Sequence, residues 1–305
     1  MLTFLDSLIS RPGITDIVIN GGEGLWFDCG SGLQREDAWV ANREQVRKLG
    51  RELIALGGRH IDIAVPCADV RLPTGIRAHV VLDPISGSGT LISLRIPRAQ
   101  PMSTHDLLDA GSLTAGQLEF LNAAVRGRKN LLISGGSGTG KTTLLGALLG
   151  EAPENERIVV IEDLAELRSS HPHMVHLEAR QPNIEGAGEV TTQELLRQAL
   201  RMRADRLILG ECRGSELMVL LTALNTGHSG GGSTLHANSL DDVPTRLEAL
   251  GHLAGLSPLA LAAQAISAFD VLIHLERSEG IRRVHSIGVL DKDPSGHLSV
   301  KICHV

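Results

Sequence analysis

The stretch GGSGTGKT, Gly135 to Thr142, has the residues to hold a polyphosphate. It fits the pattern G-x-x-x-x-G-K-[ST], follows an apolar run and opens a helical one. Gly135, Gly136, Gly138 and Gly140 permit positive φ and close backbone approach. Successive N–H groups, those of Ser137 and Thr139 included, can therefore point at phosphate oxygens. Lys141 adds a charge directed at the β- and γ-phosphates, and the Thr142 hydroxyl can ligate Mg²⁺. The helix start carrying Lys141, Thr142 and Thr143 favours an anion. No N-K-x-D element accompanies the loop, so ATP is preferred to GTP. The loop alone does not separate an ATPase from a small-molecule kinase or a helicase.

Two further runs end in acids. RIVVIEDLAEL ends in Glu162 and Asp163, with Glu166 beyond; DRLILGECRG ends in Glu211, with Arg213 two residues on. In a parallel sheet the ligand sits at the carboxyl ends of the strands. One such carboxylate supports Mg²⁺ through its water shell, and another orients the attacking water. Glu162 is the candidate for the water and Glu211 for the Mg²⁺ network, although spacing alone does not divide the roles. NTGHSGGGSTLHANS, Asn225 to Ser239, holds His228 and His236 around a Gly/Ser tract. Its composition is that of a flexible segment. Either histidine could sense a phosphate near neutral pH, and His236, nearer the following helix cap at Asn238/Ser239, is the first candidate. A metal clip is disfavoured because no C-x-x-C or H-x-x-x-H accompanies them. His171, His173 and His176 read as surface or strand-edge residues.

The elements that must position these groups are legible around them. From about residue 130 onward, wholly apolar runs alternate with helical ones: KNLLISG, GKTTLLGALLGE, RIVVIED, VTTQELLRQALRM, DRLILGE and GSELMVLLTALNTG. That pattern predicts a parallel sheet covered on both faces, an α/β architecture. FDVLIHLER, IRRVHSIGVL and HLSVKIC read as a closing antiparallel meander. The first hundred residues differ. A hairpin is expected at Ile14–Asn20 and Leu25–Cys29. An amphipathic helix follows, capped by Asn42 and stopped at Gly57-Gly58, and then three more strands. The order implies a smaller α+β domain over 1–97, a polar linker over 98–112 and an α/β domain over 113–305.

Composition narrows the classes. The chain has 305 residues, 42% hydrophobic and 21% charged, so it is globular with real cores. A net charge of −6, 2% aromatics and no tyrosine disfavour a nucleic-acid binder, which usually offers a basic surface and stacking platforms. Four scattered cysteines fit a reducing compartment. No signal sequence and no membrane-spanning run are apparent, so work at a membrane would go through partners.

ISGGSGTGKTT, IVVIEDLAEL, HPHMVHLEARQPNIEGAGEVT, ALRMRADRLILGECRG and NTGHSGGGSTLHANS occur in the order and spacing of the secretion ATPase superfamily. Its members power type II and type IV secretion and type IV pili. The chain most resembles the ATPases of Tad/Flp pili, sometimes called conjugal-transfer ATPases. The resemblance implies a homohexamer whose subunits join a PAS-like N-terminal domain to a RecA-like motor. Such a motor is cytoplasmic, works with an inner-membrane platform protein and uses ATP and Mg²⁺. Gly135–Thr143 then resembles Walker A and Glu162–Glu166 an Asp box, with Glu162 as base. Leu207–Glu211 resembles an atypical Walker B, and Thr226–His236 a His box. Arg77 and Arg95, with Arg71 as a third candidate, match arginines that reach the nucleotide. Two departures from relatives stand out. The tract Ser229–Ser233 is three glycines flanked by serines, which implies an unusually mobile loop. The stretch before Ile14 is also short. Alternatives from other classes are a nucleic-acid translocase for conjugal DNA transfer and a nucleotide-dependent regulatory scaffold.

Overall fold

The computed structural model describes residues 2–30, 32–97, 100–180, 182, 187–278 and 280–304. The chain divides into two compact units, Met1–Ala99 and Gln100–Val305. Of the expected linker, Arg98 and Ala99 lie outside the described residues.

The first unit contains α1 (Leu2–Ile9), β1 (Asp16–Asn20), β2 (Leu25–Asp28), β3 (Leu33–Arg35), α2 (Arg43–Leu56), β4 (Cys67–Arg71), β5 (Arg77–Val81) and β6 (Leu91–Arg95). Its strands form one antiparallel sheet in the order β3-β2-β1-β6-β5-β4. The α2 helix starts in a reciprocal cap. Asn42 Oδ1 accepts from Gln45 N at 2.9 Å, and Gln45 Oε1 accepts from Asn42 N at 2.9 Å. Val46, Leu49, Leu53 and Ile54 bury one face of this helix. Gly50 lets it lie close to the sheet, because a Cβ there would come within 2.9 Å of Val80 Cγ1. The stretch before Ile14 is not featureless: α1 sends Leu5 and Leu8 into this core.

The second unit contains α3 (Thr104–Asp109), α4 (Ala115–Arg126), β7 (Leu131–Gly135), α5 (Lys141–Leu149), β8 (Ile158–Glu162), β9 (Met174–Glu178), α6 (Thr192–Ala199), β10 (Arg206–Leu209), α7 (Glu216–Asn225), β11 (Gly232–His236), α8 (Val243–Leu253), α9 (Pro258–Ala268), β12 (Val271–Ser278), β13 (Ile281–Lys292) and β14 (Leu298–Cys303). The sheet order is β14-β13-β12-β7-β11-β10-β8-β9. From β12 to β9 every pairing is parallel, while β12, β13 and β14 form the antiparallel meander. Apolar clusters cover both faces, one including α4 and α5, the other α6 to α9. The α3 helix falls inside the expected linker, and its Leu107 is buried in the first of these cores.

Of the Gly/Ser tract, Ser229 and Gly230 form a turn, whereas Gly232 and Ser233 lie in β11. Gly232–His236 is a central strand held between β7 and β10. A Cβ on Gly231 would come within 2.4 Å of the Leu207 carbonyl oxygen, and one on Gly232 within 2.3 Å of the Leu131 carbonyl oxygen. The glycines are present because neighbouring backbones leave no room. The polar side chains are satisfied: Thr234 Oγ1 donates to the Gly210 carbonyl at 2.6 Å, and Ser233 Oγ accepts from Cys212 Sγ at 3.2 Å. At the base of the strand, Arg206 Nη1 donates to the Gly230 carbonyl and Arg128 Nη2 to that of Ser229. Glu156 lies between these two guanidinium groups.

Candidate nucleotide site

Four parallel strands deliver their carboxyl ends to one crevice, the position where open α/β sheets bind ligands. β7 runs into the phosphate loop. β11 ends level with it, since His236 pairs in register with Gly135. β8 ends in Glu162, and Glu211 follows β10. The loop needs its glycines: Gly135, Gly138 and Gly140 have φ of 150°, 70° and 95°. A Cβ on Gly135 would also meet the Leu275 carbonyl oxygen at 2.5 Å. Thr139 Oγ1 ties the loop by donating to the Gly136 carbonyl at 3.0 Å. Thr142 and Thr143, half-buried, open α5 beside the loop, whose Ser137 is exposed.

Lys141 is buried and folds back, donating to the carbonyls of Gly135 at 2.9 Å and Gly136 at 2.7 Å. Its Nζ also lies 3.4 Å from His236 Nδ1, and His236 Nε2 lies 3.4 Å from Glu211 Oε1. An ammonium has no lone pair, so Nδ1 must accept and the ring proton sits on Nε2, facing the carboxylate. Arg213 then grips Glu211 with both arms, Nε to Oε1 at 2.9 Å and Nη2 to Oε2 at 3.0 Å. Its Nη1 lies 3.3 Å from Asp163. The chain Lys141–His236–Glu211–Arg213–Asp163 thus links three strand ends.

The protonation tendencies follow. Burial pushes the Glu211 carboxyl up, but the Arg213 hydrogen bond and charge, with His236 and Lys141, outweigh it and hold the group below its usual range. Burial and the Lys141 charge push His236 down, against the pull of Glu211. Burial also lowers Lys141.

Glu162 is 5% exposed. Its Oε1 accepts two backbone bonds, from Glu166 N at 3.0 Å and Leu167 N at 2.9 Å. Its buried Oε2 has no hydrogen-bond partner among the described residues. His176 Nδ1 stands 3.5 Å from it. The carboxylate lies against Gly210, where a Cβ would come within 2.6 Å of its Cγ. Thr142 and Glu211 are oxygen donors of the kind a hard cation takes. Among the described residues no group of three or more His, Cys, Asp or Glu could hold a metal ion. This fits a cation carried largely by phosphate and water, with one or two protein oxygens.

The structure does not bring His228 to the loop. It precedes β11, whose five residues rise about 3.3 Å each, so a strand length of roughly 13 Å lies between His228 and His236. Arg77 and Arg95 belong to the first unit. There Arg71, Arg77 and Arg95 pair in register across β4, β5 and β6, and the row continues to Asp16, which lies 3.6 Å from Arg95. Cross-strand partners share a sheet face, so the three guanidinium groups and the Asp16 carboxylate stand in one row. Several groups were missed from sequence. Arg213 was visible only as a neighbour of Glu211. Arg282, from the meander, donates Nε to the Gly138 carbonyl at 2.8 Å, and no sequence signal links the two. Buried His274 lies 2.9 Å from Ser134 Oγ at the entrance to the loop. Of the three histidines read as surface or strand-edge residues, His173 is exposed and faces Arg157, and His176 is exposed on the edge strand β9 and faces Glu162, whereas His171 is buried and bonded to the Pro153 carbonyl.

The model of the family "Type II/IV secretion system protein" matches residues 4–279. A Mycobacterium tuberculosis H37Rv protein named for conjugal transfer is 44% identical over 308 residues, covering 98% of this chain and 87% of that protein. The type IV secretion system protein PtlH of Bordetella pertussis is 34% identical, covering 96% and 95%. Among solved structures, the pilus retraction motor PilT with bound ADP superposes with a TM-score of 0.63 at 20% identity, covering all of this chain and 83% of that one. The VirB11 ATPase of the Brucella suis type IV secretion system gives 0.51 at 24% identity, covering 97% of each.

Proposed function

Because the chain belongs to the type II/IV secretion system protein family, we propose that it is an ATP-hydrolysing motor that drives secretion or assembly of a Tad/Flp-type pilus. The observation carrying this reading is the unbroken run Lys141–His236–Glu211 beneath the phosphate loop. In this reading the ATP phosphates occupy the loop, and Lys141 turns from the Gly135 and Gly136 carbonyls to the β- and γ-phosphates. Thr142 and, through water, Glu211 would hold Mg²⁺, which would supply positive charge to the phosphates. Glu162 takes the proton of the attacking water, and Oε2 is the oxygen left to do so. His236, held between cation and carboxylate, responds to the γ-phosphate. Arg77 and Arg95 of the first unit are further candidate sources of positive charge for the nucleotide.

The working form is a homohexamer acting on a membrane-embedded platform protein. Among the described residues no single helix is long and apolar enough to cross a membrane. The bent pair α8 and α9 passes such a test only jointly, across a 117° break. In this reading the motor docks at the inner face of the cytoplasmic membrane through partners. Lys141→Ala is the direct test: ATP turnover by the purified chain falls to background. Undiminished hydrolysis by that variant refutes the assignment. Relatives named for conjugal transfer bring DNA into consideration, and the same assay decides it. Strong, salt-sensitive stimulation of turnover by DNA would favour a translocase over a pilus or secretion motor.

A further inference from the structure

ATP hydrolysis near neutral pH releases a proton, and a buried carboxylate that has taken it must lose it before the next turnover. Glu162 has one such oxygen. Oε1 is occupied by two backbone N–H groups, while Oε2 is buried and unpartnered among the described residues. An unpartnered buried carboxylate oxygen is costly to maintain. His176 Nδ1 lies 3.5 Å from that oxygen, so a small movement of the ring closes a hydrogen bond. The ring stands on β9, the outermost strand of the sheet, and its side chain is 32% exposed against 5% for Glu162. The register explains why the two face each other. Val160 pairs with His176 and Glu162 with Glu178, so His176 lies on the same sheet face as Glu162, one pleat back along the neighbouring strand.

We infer that His176 is the proton outlet of Glu162, relaying to solvent the proton taken from the attacking water. The inference rests on the reading of Glu162 as the base. In the first step the water O–H bond breaks, its oxygen bonds to the γ-phosphorus, and the bond from that phosphorus to the β,γ-bridging oxygen breaks. The proton goes to Glu162 Oε2. In the second step the proton passes from Oε2 to Nδ1, and the imidazolium releases its Nε2 proton to water at the exposed edge. Glu162 is then ionised again, and tautomer exchange through solvent resets the ring. The ring acts through Glu162 and never touches nucleotide, so its loss affects turnover and leaves binding alone.

The test uses steady-state ATP hydrolysis by the full chain. His176→Ala is expected to lower kcat by about a hundredfold, the lower end of what a positioned proton transfer contributes. KM for ATP is expected to stay within twofold. Added imidazole should restore a large part of the rate, and His176→Gln, which can bond to Oε2 but not carry a proton through, should stay slow. Wild-type kcat in His176→Ala overturns the inference. So does a rate that imidazole leaves unchanged while His176→Gln restores it, because that pattern belongs to simple positioning. Glu162→Gln separates the two levels: if that variant hydrolyses ATP at the wild-type rate, the base assignment itself is wrong. If it is inactive while His176→Ala is unimpaired, only the relay fails.

Discussion

Gly232→Ala is a one-methyl change to which the interior of the motor unit should be highly sensitive. The added methyl would lie 2.3 Å from the Leu131 carbonyl oxygen and 3.2 Å from the Leu131 carbonyl carbon and nitrogen. All three are backbone atoms of β7, and β10 closes the other side of the strand, so no flexible side chain can give way. The strand must move by about 1 Å to reach ordinary contact, stretching the hydrogen bond from Leu131 N to the Gly231 carbonyl, now 3.0 Å. Overpacking costs typically 1–3 kcal/mol, and a clash with fixed backbone belongs at about 3 kcal/mol. For a unit of this size that lowers Tm by roughly 6–12 °C. The same shift carries His236, four residues on, away from Lys141 and Glu211, so turnover falls as well. Thermal and denaturant unfolding, with ATP turnover on the same samples, measure both effects. Ser229→Ala, just outside the strand, serves as the control and should stay near wild type. If Gly232→Ala unfolds within 0.5 kcal/mol of wild type and hydrolyses ATP normally, the tract is a mobile loop and the strand assignment is wrong.

Two further predictions concern charge. Arg206 is fully buried and bonds Glu156 and the carbonyls of Gly230 and Val125. Arg206→Met should destabilise the chain by about 3–5 kcal/mol in denaturant unfolding, because it leaves a half-paired carboxylate and takes the donor from the Gly230 carbonyl, while that of Val125 keeps a backbone N–H from Arg128; unchanged unfolding would contradict this. Arg213 is the main group holding the Glu211 carboxyl below its usual range. That interaction is fully present above the ordinary carboxylate value and fades as pH falls through the lowered one. Arg213→Ala should therefore move the acid limb of kcat to higher pH, and a limb that stays in place would show that Arg213 does not set it.

The phosphate loop and the apolar strands were legible because they combine a spacing motif with unbroken hydrophobic runs bounded by turns. β11 was not, because composition does not distinguish glycine chosen for freedom from glycine chosen for lack of space. Only the distances to Leu207 and Leu131 separate the two cases. The same blindness affected the histidines. His228 and His236 share one stretch, with His236 favoured in sequence only for its nearness to the following cap at Asn238/Ser239, and β11 separates them by the length of the strand. His176 carries no motif at all. Its position opposite Glu162 comes from the parallel pairing of β8 with β9, a strand that the half-polar segment MVHLE does not announce. Arg213 and Arg282 are two among many arginines until the fold places one against Glu211 and the other against Gly138.

The grip of Arg128 and Arg206 on the carbonyls before β11 gives that strand a fixed foot, and Lys141 with Glu211 surrounds its tip. A beam clamped at one end and walled by backbone on both sides cannot soak up a disturbance by bending. A displacement of His236 would therefore be passed forward along the chain. The His236 carbonyl accepts from Arg246 Nε at 3.2 Å, and Arg246 lies in the first turn of α8. The stretch that looks loosest in the sequence is the rigid member of the machine, and the compliance needed for movement must lie downstream of it.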